Sequence, residues 1–584
     1  MPKLTTRYTN QSLAETFRLI ADLLEIKGEV IYKTLAYRKA ADSLTNLGRD
    51  INEVAKEGTL TELPGVGKAI AEKISELLTT GKLDFLNKLA EEVPLSLADL
   101  LQIQGLGPKK VGLFWRELSI TNLDELKTSA ETGKLRHLPG MGAKSEEKIL
   151  AGIAALARRS GRTPLGIAWP FAQDLLAWLR TLPGVTAAEA AGSLRRMRDT
   201  VGDLDILAAA EDSEPVMQAF VERPDVIEII GHGPTKSSVE FANRLHAQLW
   251  VHPPARFGTA LQYATGSKDH NVRLRELALN LGYSLSEHAL KRTNDESELT
   301  CATEEEVYAA LGLPWVAPEL REDRGEVQAA KAGTLPTLIT VNDRLAELHC
   351  HSNWSDGKAT IREMAAGAAQ RGLKLIVISD HSQSLGIANG LSVERLQQQR
   401  AEIDAVQAEL GNSIRILQGS EVEIKADGTL DYPDDVLAEL DLVVASLHTS
   451  LGQPRQQVTQ RLISAIQNPH VDIIGHPTGR MIPDREGADL DMDAVLAAAV
   501  KSGVALEINA HPSRLDLNDI YARRAAELGI PLSINTDAHA PQHFDLISFG
   551  IATARRAWVT PEQVINCWDV DKIMGWLENR RRDV

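Results

Sequence analysis

LAELHCHSNWSDG, residues 345–357, places His349 and His351 at the end of an apolar run and Asp356 in the turn that follows. The same arrangement returns down the chain. His381 in ISDHS, His448 in ASLHTS, His476 in IGHPTGR and His539 in TDAHA each stand just past an apolar segment, with Asp380, Glu421 in GSEVEI and Asp537 at matching places. The runs LKLIVIS, IRILQGSEVEI, DLVVASLH, VDIIGHP, VALEINA and PLSINTD alternate with helical patterns. Such alternation predicts an α/β barrel or a doubly wound sheet, where polar residues at strand ends carry chemistry. Nine of the fifteen histidines follow residue 348, and scattered core histidines would not keep to strand ends. Imidazole nitrogen with carboxylate oxygen is a ligand set for zinc, manganese or iron. The cysteines, Cys301, Cys350 and Cys567, form no CxxC pair, so a thiolate site and a disulfide framework are both excluded.

The 584 residues predict about three to five domains. Hydrophobic residues make up 43% and charged residues 24%, values of a globular chain. No apolar run reaches the roughly 18 residues of a membrane span, and MPKLTTRYTN lacks a signal-peptide pattern, so the expected address is cytoplasmic, away from membranes. The net charge of −17 hides a gradient: residues 1–160 carry 23 Lys+Arg against 21 Asp+Glu, and the remainder 40 against 59. Nucleic-acid contact needs a basic surface only where contact is made, and the gradient permits it at the front.

That front holds one pattern three times: LTELPGVGKAIAEKI from Leu60, LLQIQGLGPKKVGLF from Leu100 and LRHLPGMGAKSEEKIL from Leu135. Each has apolar helical spacing, a G-x-G, and then a Lys-containing helix. Gly65 and Gly67, Gly105 and Gly107, and Gly140 and Gly142 form these turns. The pattern resembles the helix-hairpin-helix motif, in which backbone N–H groups at the start of the second helix bind a DNA phosphate without reading a base.

Between them lies AAGSLRRMRDTVGDLDIL, residues 190–207. On a strand, Asp203 and Asp205 face one way and Leu204 the other, and two adjacent carboxylates call for a cation between them. Gly192 permits close backbone approach, and Ser193, Arg195 and Arg196 supply donors for phosphate oxygens. G-S-x-R-R followed by G-D-x-D resembles the nucleotidyltransferase palm of the family X DNA polymerases. TGSKDHNVRLRELA, with Gly266 and Ser267, resembles that family's incoming-nucleotide segment, and Tyr283 to Leu290 its thumb. AYRKAA at Ala36 and LPGVGKAIAEKI resemble the lyase domain of DNA polymerase beta. That likeness puts Lys73 at the position of a Schiff-base lysine and Tyr37 and Lys39 near a 5′ phosphate. The palm departs from the family at one position. HAQLWVHPP places Gln248 where a third carboxylate belongs, and a neutral amide is neither a base nor a good magnesium ligand. The nearest upstream acid is Glu240. A two-residue turn at Asn243–Arg244 would put it opposite Ala247, facing away from Gln248.

H-x-H, S-D-G, S-D-H, an isolated Glu, S-L-H, G-H-P and T-D-A-H resemble the polymerase and histidinol phosphatase (PHP) domain over residues 343–584. The resemblance implies three metal ions, Mn2+ or Zn2+ with Fe as a further option. His349, His351, Glu421 and Asp537 would hold the first, Glu421, His448 and His476 the second, and Asp356, His381 and His539 the third. Such ions activate a water and neutralise phosphate oxygens in an in-line displacement. Arg480, four residues past His476, is the candidate phosphate clamp.

Taken together the chain resembles a bacterial family X DNA polymerase with a carboxyl-terminal PHP domain. The expected architecture is multidomain. A lyase-like helix-hairpin-helix region spans 1–85 and a fingers-like one 86–160, both all-α. An α+β nucleotidyltransferase palm spans 161–285, a thumb 286–325, a linker 326–342, and an α/β PHP barrel, a distorted TIM-like fold, 343–584. The implied activity is repair of gapped, nicked or abasic DNA by a monomer. The PHP site would act as 3′-to-5′ exonuclease or abasic-site endonuclease, and a palm weakened by Gln248 would take deoxynucleoside triphosphates with Mg2+ or Mn2+. The rivals are a nuclease with a palm that only binds DNA, a small-molecule phosphatase of the histidinol phosphate type, and a non-enzymatic DNA-end scaffold.

Overall fold

The computed structural model describes residues 10–45, 47, 51–103, 106–159 and 162–582. The chain divides into two compact units, Met1–Gly161 and Arg162–Val584. Among its described residues the first has helices and no strand. Its opening helix, Asn10–Lys27, buries Leu13, Phe17, Ile20 and Leu24, a spacing of three and four that lays one stripe against the neighbouring helices. Gly81 ends the helix Lys68–Thr80 in the left-handed region (φ 71°), where its N–H reaches Leu77 O at 2.9 Å.

The second unit begins with a five-stranded sheet in the order Ala187–Ala190, Leu204–Ala209, His246–His252, Lys236–Phe241, Val226–His232. Leu204, Ile206 and Ala208 face the helices Leu165–Leu179 and Glu214–Val221, while Leu207 and Ala209 face Phe257, Ala260 and Leu261 on the helix Phe257–Thr265. The two-residue period therefore puts Asp205 on the face opposite Leu204.

A small antiparallel sheet, Tyr283–Leu285, Leu290–Arg292 and Glu298–Leu299, follows with the helices Lys268–Asn280, Glu304–Ala310 and Glu326–Ala332. One apolar core joins Leu274 and Ala278 to Val307, Tyr308, Leu320, Val327 and Ala330. This corrects the first seven residues of the expected linker at 326–342. Val327 and Ala330, three apart on a helix, are buried, and Glu326 is buried too, accepting from Asp323 N at 3.1 Å and pairing with His270 Nδ1 at 2.6 Å. Residues 333–338, by contrast, are exposed or half-buried.

The last region is a barrel of seven parallel strands in sequence order: Ala346–Cys350, Leu375–Ile378, Arg415–Glu423, Leu442–Ser446, Ile473–Gly475, Ala505–Asn509 and Leu532–Asn535. Asn535 Oδ1 accepts from Leu348 N (3.2 Å) and His351 N donates to Ala538 O (2.8 Å), which closes the last strand onto the first. Ile573 and Leu577 of the helix Val570–Arg582 join the interior core formed by Ala346, Leu375, Leu442, Ile473 and Ala505 at the strand starts. The carboxyl ends of the strands are left for function. Gly166, on the first helix of the sheet region, lies so close to Pro512 that a Cβ would come within 2.6 Å, so sheet and barrel regions pack directly. Among the described residues no helix is long and apolar enough to cross a membrane.

Candidate functional site

All nine side chains expected as metal ligands converge at the carboxyl end of the barrel. Glu421 is the centre. Its Oε2 lies 3.3 Å from His349 Nε2, 3.5 Å from His351 Nε2 and 2.9 Å from His381 Nδ1, and its Oε1 lies 3.2 Å from His448 Nε2 and 2.9 Å from His476 Nε2. Asp537 Oδ1 stands 3.1 Å from His351 Nε2, and Asp356 Oδ1 stands 3.3 Å from His539 Nε2 and 3.7 Å from His381 Nε2. The grouping is tighter than expected. His351 shares a cluster with Asp356, His381 and His539 as well as one with His349 and Glu421, and His381 shares one with Glu421 and His448.

These residues fit divalent cations. His349 Nε2, both nitrogens of His351 and of His476, His381 Nδ1 and both Glu421 oxygens are buried without a hydrogen-bond partner, a cost a protein does not carry for packing alone. Burial first, then the neighbouring His381 and His539, push His351 down to about 3, so its imidazole is neutral, the form that donates a lone pair. Burial pushes Glu421 up, but the imidazoles of His448, His349 and His381 hold it well below its ordinary value, so it stays anionic. Three of the histidines engage their outer nitrogen. His349 Nδ1 meets Glu507 at 2.8 Å, His448 Nδ1 meets Glu423 at 2.8 Å, and His539 Nδ1 meets Asp537 O at 2.8 Å, each aiming Nε2 inward.

In the palm, Asp205 and Gln248 are partners in a parallel register, and Gln248 Nε2 donates to Asp203 Oδ2 at 2.7 Å. Burial and then Asp203 push the Asp205 carboxyl up to about 6, against the pull of Lys236 and Arg196. Gly192 (φ 57°) is needed here for another reason than a ligand: a Cβ would fall 2.0 Å from Asp205 Oδ2. Ser193 lies in the turn Gly192–Arg195, and its carbonyl accepts from Arg198 N at 3.0 Å. Arg195 and Arg196 are not free donors, contrary to expectation. Arg195 makes two 2.8 Å bonds to Glu304 and one of 2.7 Å to Thr265, and Arg196 meets Glu322 at 3.1 Å and Thr265 O at 2.5 Å. Gly266 (φ 67°) lies beside Arg196, and Ser267 caps the helix Lys268–Asn280, accepting from His270 N at 3.2 Å. Glu240 corrects a second expectation. It pairs with His246 rather than Ala247, so it shares the face of Gln248, but Arg244 (2.7 Å) and His246 (3.4 Å) hold its carboxylate.

In the amino-terminal unit, Gly65 and Gly140 have φ of 73° and 75°, and Gly67 and Gly107 cap their helices with no side-chain cap bond. Nothing lies within 4 Å of a Cβ built on Gly67, Gly107, Gly140 or Gly142, so the backbone there is open to a ligand, whereas Gly65 packs on Lys39. Gly105 lies outside the described residues. Lys73 Nζ bonds Ala69 O at 3.3 Å and stands 5.0 Å over the Phe85 ring. Tyr37 is buried between Phe17 and Phe85, and burial pushes its phenol up to about 12.

Comparison with known proteins accords with this geometry. Family models match for a helix-hairpin-helix domain at residues 8–83, a SAM-like helix-hairpin-helix tandem at 97–155, a DNA polymerase beta thumb at 260–322 and a PHP domain at 347–511. The DNA polymerase/3′-5′ exonuclease PolX of Bacillus subtilis is 40% identical over 561 residues, 96% of this chain and 97% of the relative. The chain belongs to the bacterial family X DNA polymerases with a PHP domain. Its two halves also match separately: DNA polymerase lambda of Rattus norvegicus is 25% identical over 54% of this chain and 56% of its own length. A probable phosphatase of Thermoanaerobacter sp. is 33% identical over 41% of this chain and 96% of its own length.

For this family X polymerase, sequence reasoning missed the residues that aim the ligands. Glu507, in VALEINA, accepts from His476 N (2.7 Å) and Asn535 Nδ2 (3.0 Å) besides meeting His349. The signal was available, since an acid in an otherwise apolar buried strand needs a partner. Asp380 lies behind the cluster, accepting from Ser352 N (2.8 Å), Ser355 Oγ (2.5 Å) and Gln399 Nε2 (2.6 Å). Arg480 does not face the cluster. It bonds Arg514 O at 2.7 Å, Leu515 O, and Asp199 at 3.3 Å. The arginine that reaches the site is Arg514, with Nε 3.7 Å from Asp537 Oδ2.

Proposed function

We propose that this protein is a DNA repair enzyme whose PHP centre removes nucleotides from 3′ ends and cuts at abasic sites. Its palm transfers nucleotides weakly because Gln248 replaces a carboxylate. The observation that supports this reading most is the set of buried, partnerless imidazole and carboxylate atoms around Glu421. When bound there, divalent ions supply Lewis acidity and an activated water for phosphodiester hydrolysis. The chain's own part is to hold the ligands through Glu507 and Glu423, keep Glu421 anionic and His351 neutral, and present Arg514 to a phosphate oxygen. The open G-x-G turns grip the backbone of gapped or nicked DNA, with Lys73 as the candidate lyase nucleophile. The relative named as both polymerase and exonuclease supports the pairing of two activities on one chain.

A second reading, a nuclease with a palm that only binds DNA, is favoured by the Gln248–Asp203 hydrogen bond, which occupies one of the two carboxylates a metal would use. One gel assay separates the two: a 5′-labelled primer on a gapped template with Mn2+ and four deoxynucleotides. Products longer than the primer support a working palm, and shortened products alone support the second reading. An unchanged primer refutes both and leaves the phosphatase and scaffold alternatives.

A further inference from the structure

The ligands of the metal centre differ in exposure. Among its ligands, His349, His351, Glu421 and His476 are closed from solvent, while Asp356 and His539 are the most exposed, at 36% and 26%. Beside Asp356 lies the loop 382–391. It leaves the centre at His381 and returns to it, since Leu391 N donates to His381 O at 2.8 Å. Asn389 Nδ2 pins it to Trp354 O (3.0 Å) and Ser355 O (3.3 Å), the residues just before Asp356. Arg395 braces it from below through Asn389 O (2.9 Å) and Trp354 O, and Asp431 through Ser384 N (2.7 Å). Gly390 passes so close to Ser382 O that a Cβ would come within 1.9 Å.

This tightly bonded loop holds out one large apolar side chain, Ile387, which is 97% exposed. A single exposed isoleucine is unremarkable on a loose surface. Here the loop that carries it is hydrogen-bonded to Trp354 and Ser355, next to the ligand Asp356. Lys358 is exposed too, and its N–H donates to His539 O at 2.7 Å. An apolar tip beside a cation suits a nucleic-acid end, whose bases offer apolar faces and whose backbone is anionic.

We propose that Ile387 is a wedge that packs against the base of the 3′-terminal nucleotide and unpairs it, so that a duplex end can enter the metal centre while Lys358 holds the strand's phosphate. This rests on the nuclease reading above. Apolar side chains inserted at a base step unstack it without reading sequence, so the wedge serves any terminal pair.

The test compares full-length Ile387→Ala, Ile387→Met and unaltered protein with Mn2+ on three substrates. These are a duplex with a recessed 3′ end, the same strand alone, and bis(4-nitrophenyl) phosphate as the reference rate. The wedge predicts that Ile387→Ala lowers the duplex-to-ester ratio about tenfold and the single-strand ratio by less than about threefold, with Ile387→Met close to unaltered protein. Equal change in both DNA ratios, or no change in either, overturns it. Unaltered protein that hydrolyses the ester but degrades neither DNA overturns the nuclease reading and the wedge with it.

Discussion

Gln248→Asp tests what the palm lacks. Gln248 pairs with Asp205 in the parallel ladder and donates to Asp203 at 2.7 Å. The substitution removes a bond to a charged group, worth about 1.5–3 kcal/mol, and sets a third carboxylate beside two that already repel. That repulsion is visible in Asp205, which burial and Asp203 push up to about 6. Without metal the variant should therefore unfold at a lower temperature. A cation bound only by the folded state restores stability, so Mg2+ should raise the melting temperature of the variant more than that of the unaltered protein. A positioned base contributes about 10²–10⁴-fold to proton transfer, so extension should rise at least tenfold and proceed in Mg2+ as well as Mn2+. The assay is single-nucleotide extension on a gapped template in a His349→Ala background, which suppresses degradation of the primer. If Mg2+ stabilises the variant and extension still does not rise, the missing carboxylate is not what limits this palm, and the argument from Gln248 fails.

Arg514→Ala should lower nuclease turnover at least about tenfold with metal content unchanged by elemental analysis, while Arg480→Ala should leave turnover intact and lower the melting temperature, because Arg480 bonds carbonyls and Asp199 instead of the cluster. Burial pushes Glu304 up, but the charge of Arg321 and hydrogen bonds from Arg195 and Arg321 hold it at about 2. Its folded value lies below the ordinary 4.5, so its contribution, at most about 3 kcal/mol, is complete above pH 4.5 and lost as pH falls toward 2. Urea unfolding from pH 6 to pH 3 should show that loss in the unaltered protein and a flatter dependence in Glu304→Gln, which starts less stable because Arg321 is left buried and unpaired.

The convergence of the nine side chains was legible because strand ends have addresses: an apolar run followed by His or Asp places the side chain at the barrel mouth whatever the loops do. The face of Glu240 was not. It depended on whether the turn after Phe241 spends two residues or three, and one step of register moves every side chain to the other face. The arginines failed for a related reason. Arg480 and Arg514 both follow strand ends in loops, and only the fold decides that one guanidinium folds back on carbonyls while the other reaches Asp537. The helix Glu326–Ala332 was misjudged because Glu326 was read as solvent-facing when its partner, His270, lay elsewhere in the chain.

Those distant partners have a consequence for the palm. Arg196 shares Glu322 with Arg556 (2.9 Å), Arg556 also meets Asp519 (2.8 Å), and Asp519 meets Arg324 (2.9 Å), so one chain of charges runs from the nucleotide loop through the thumb to the barrel helices. Arg195 is held in the same way by Glu304, which Arg321 also binds. A triphosphate that recruits Arg195 or Arg196 must compete with these carboxylates and leave them facing fewer cations. Because buried charges are costly when a partner is withdrawn, nucleotide affinity in this palm is set as much by Glu304 and Glu322 as by the residues that would touch the phosphates.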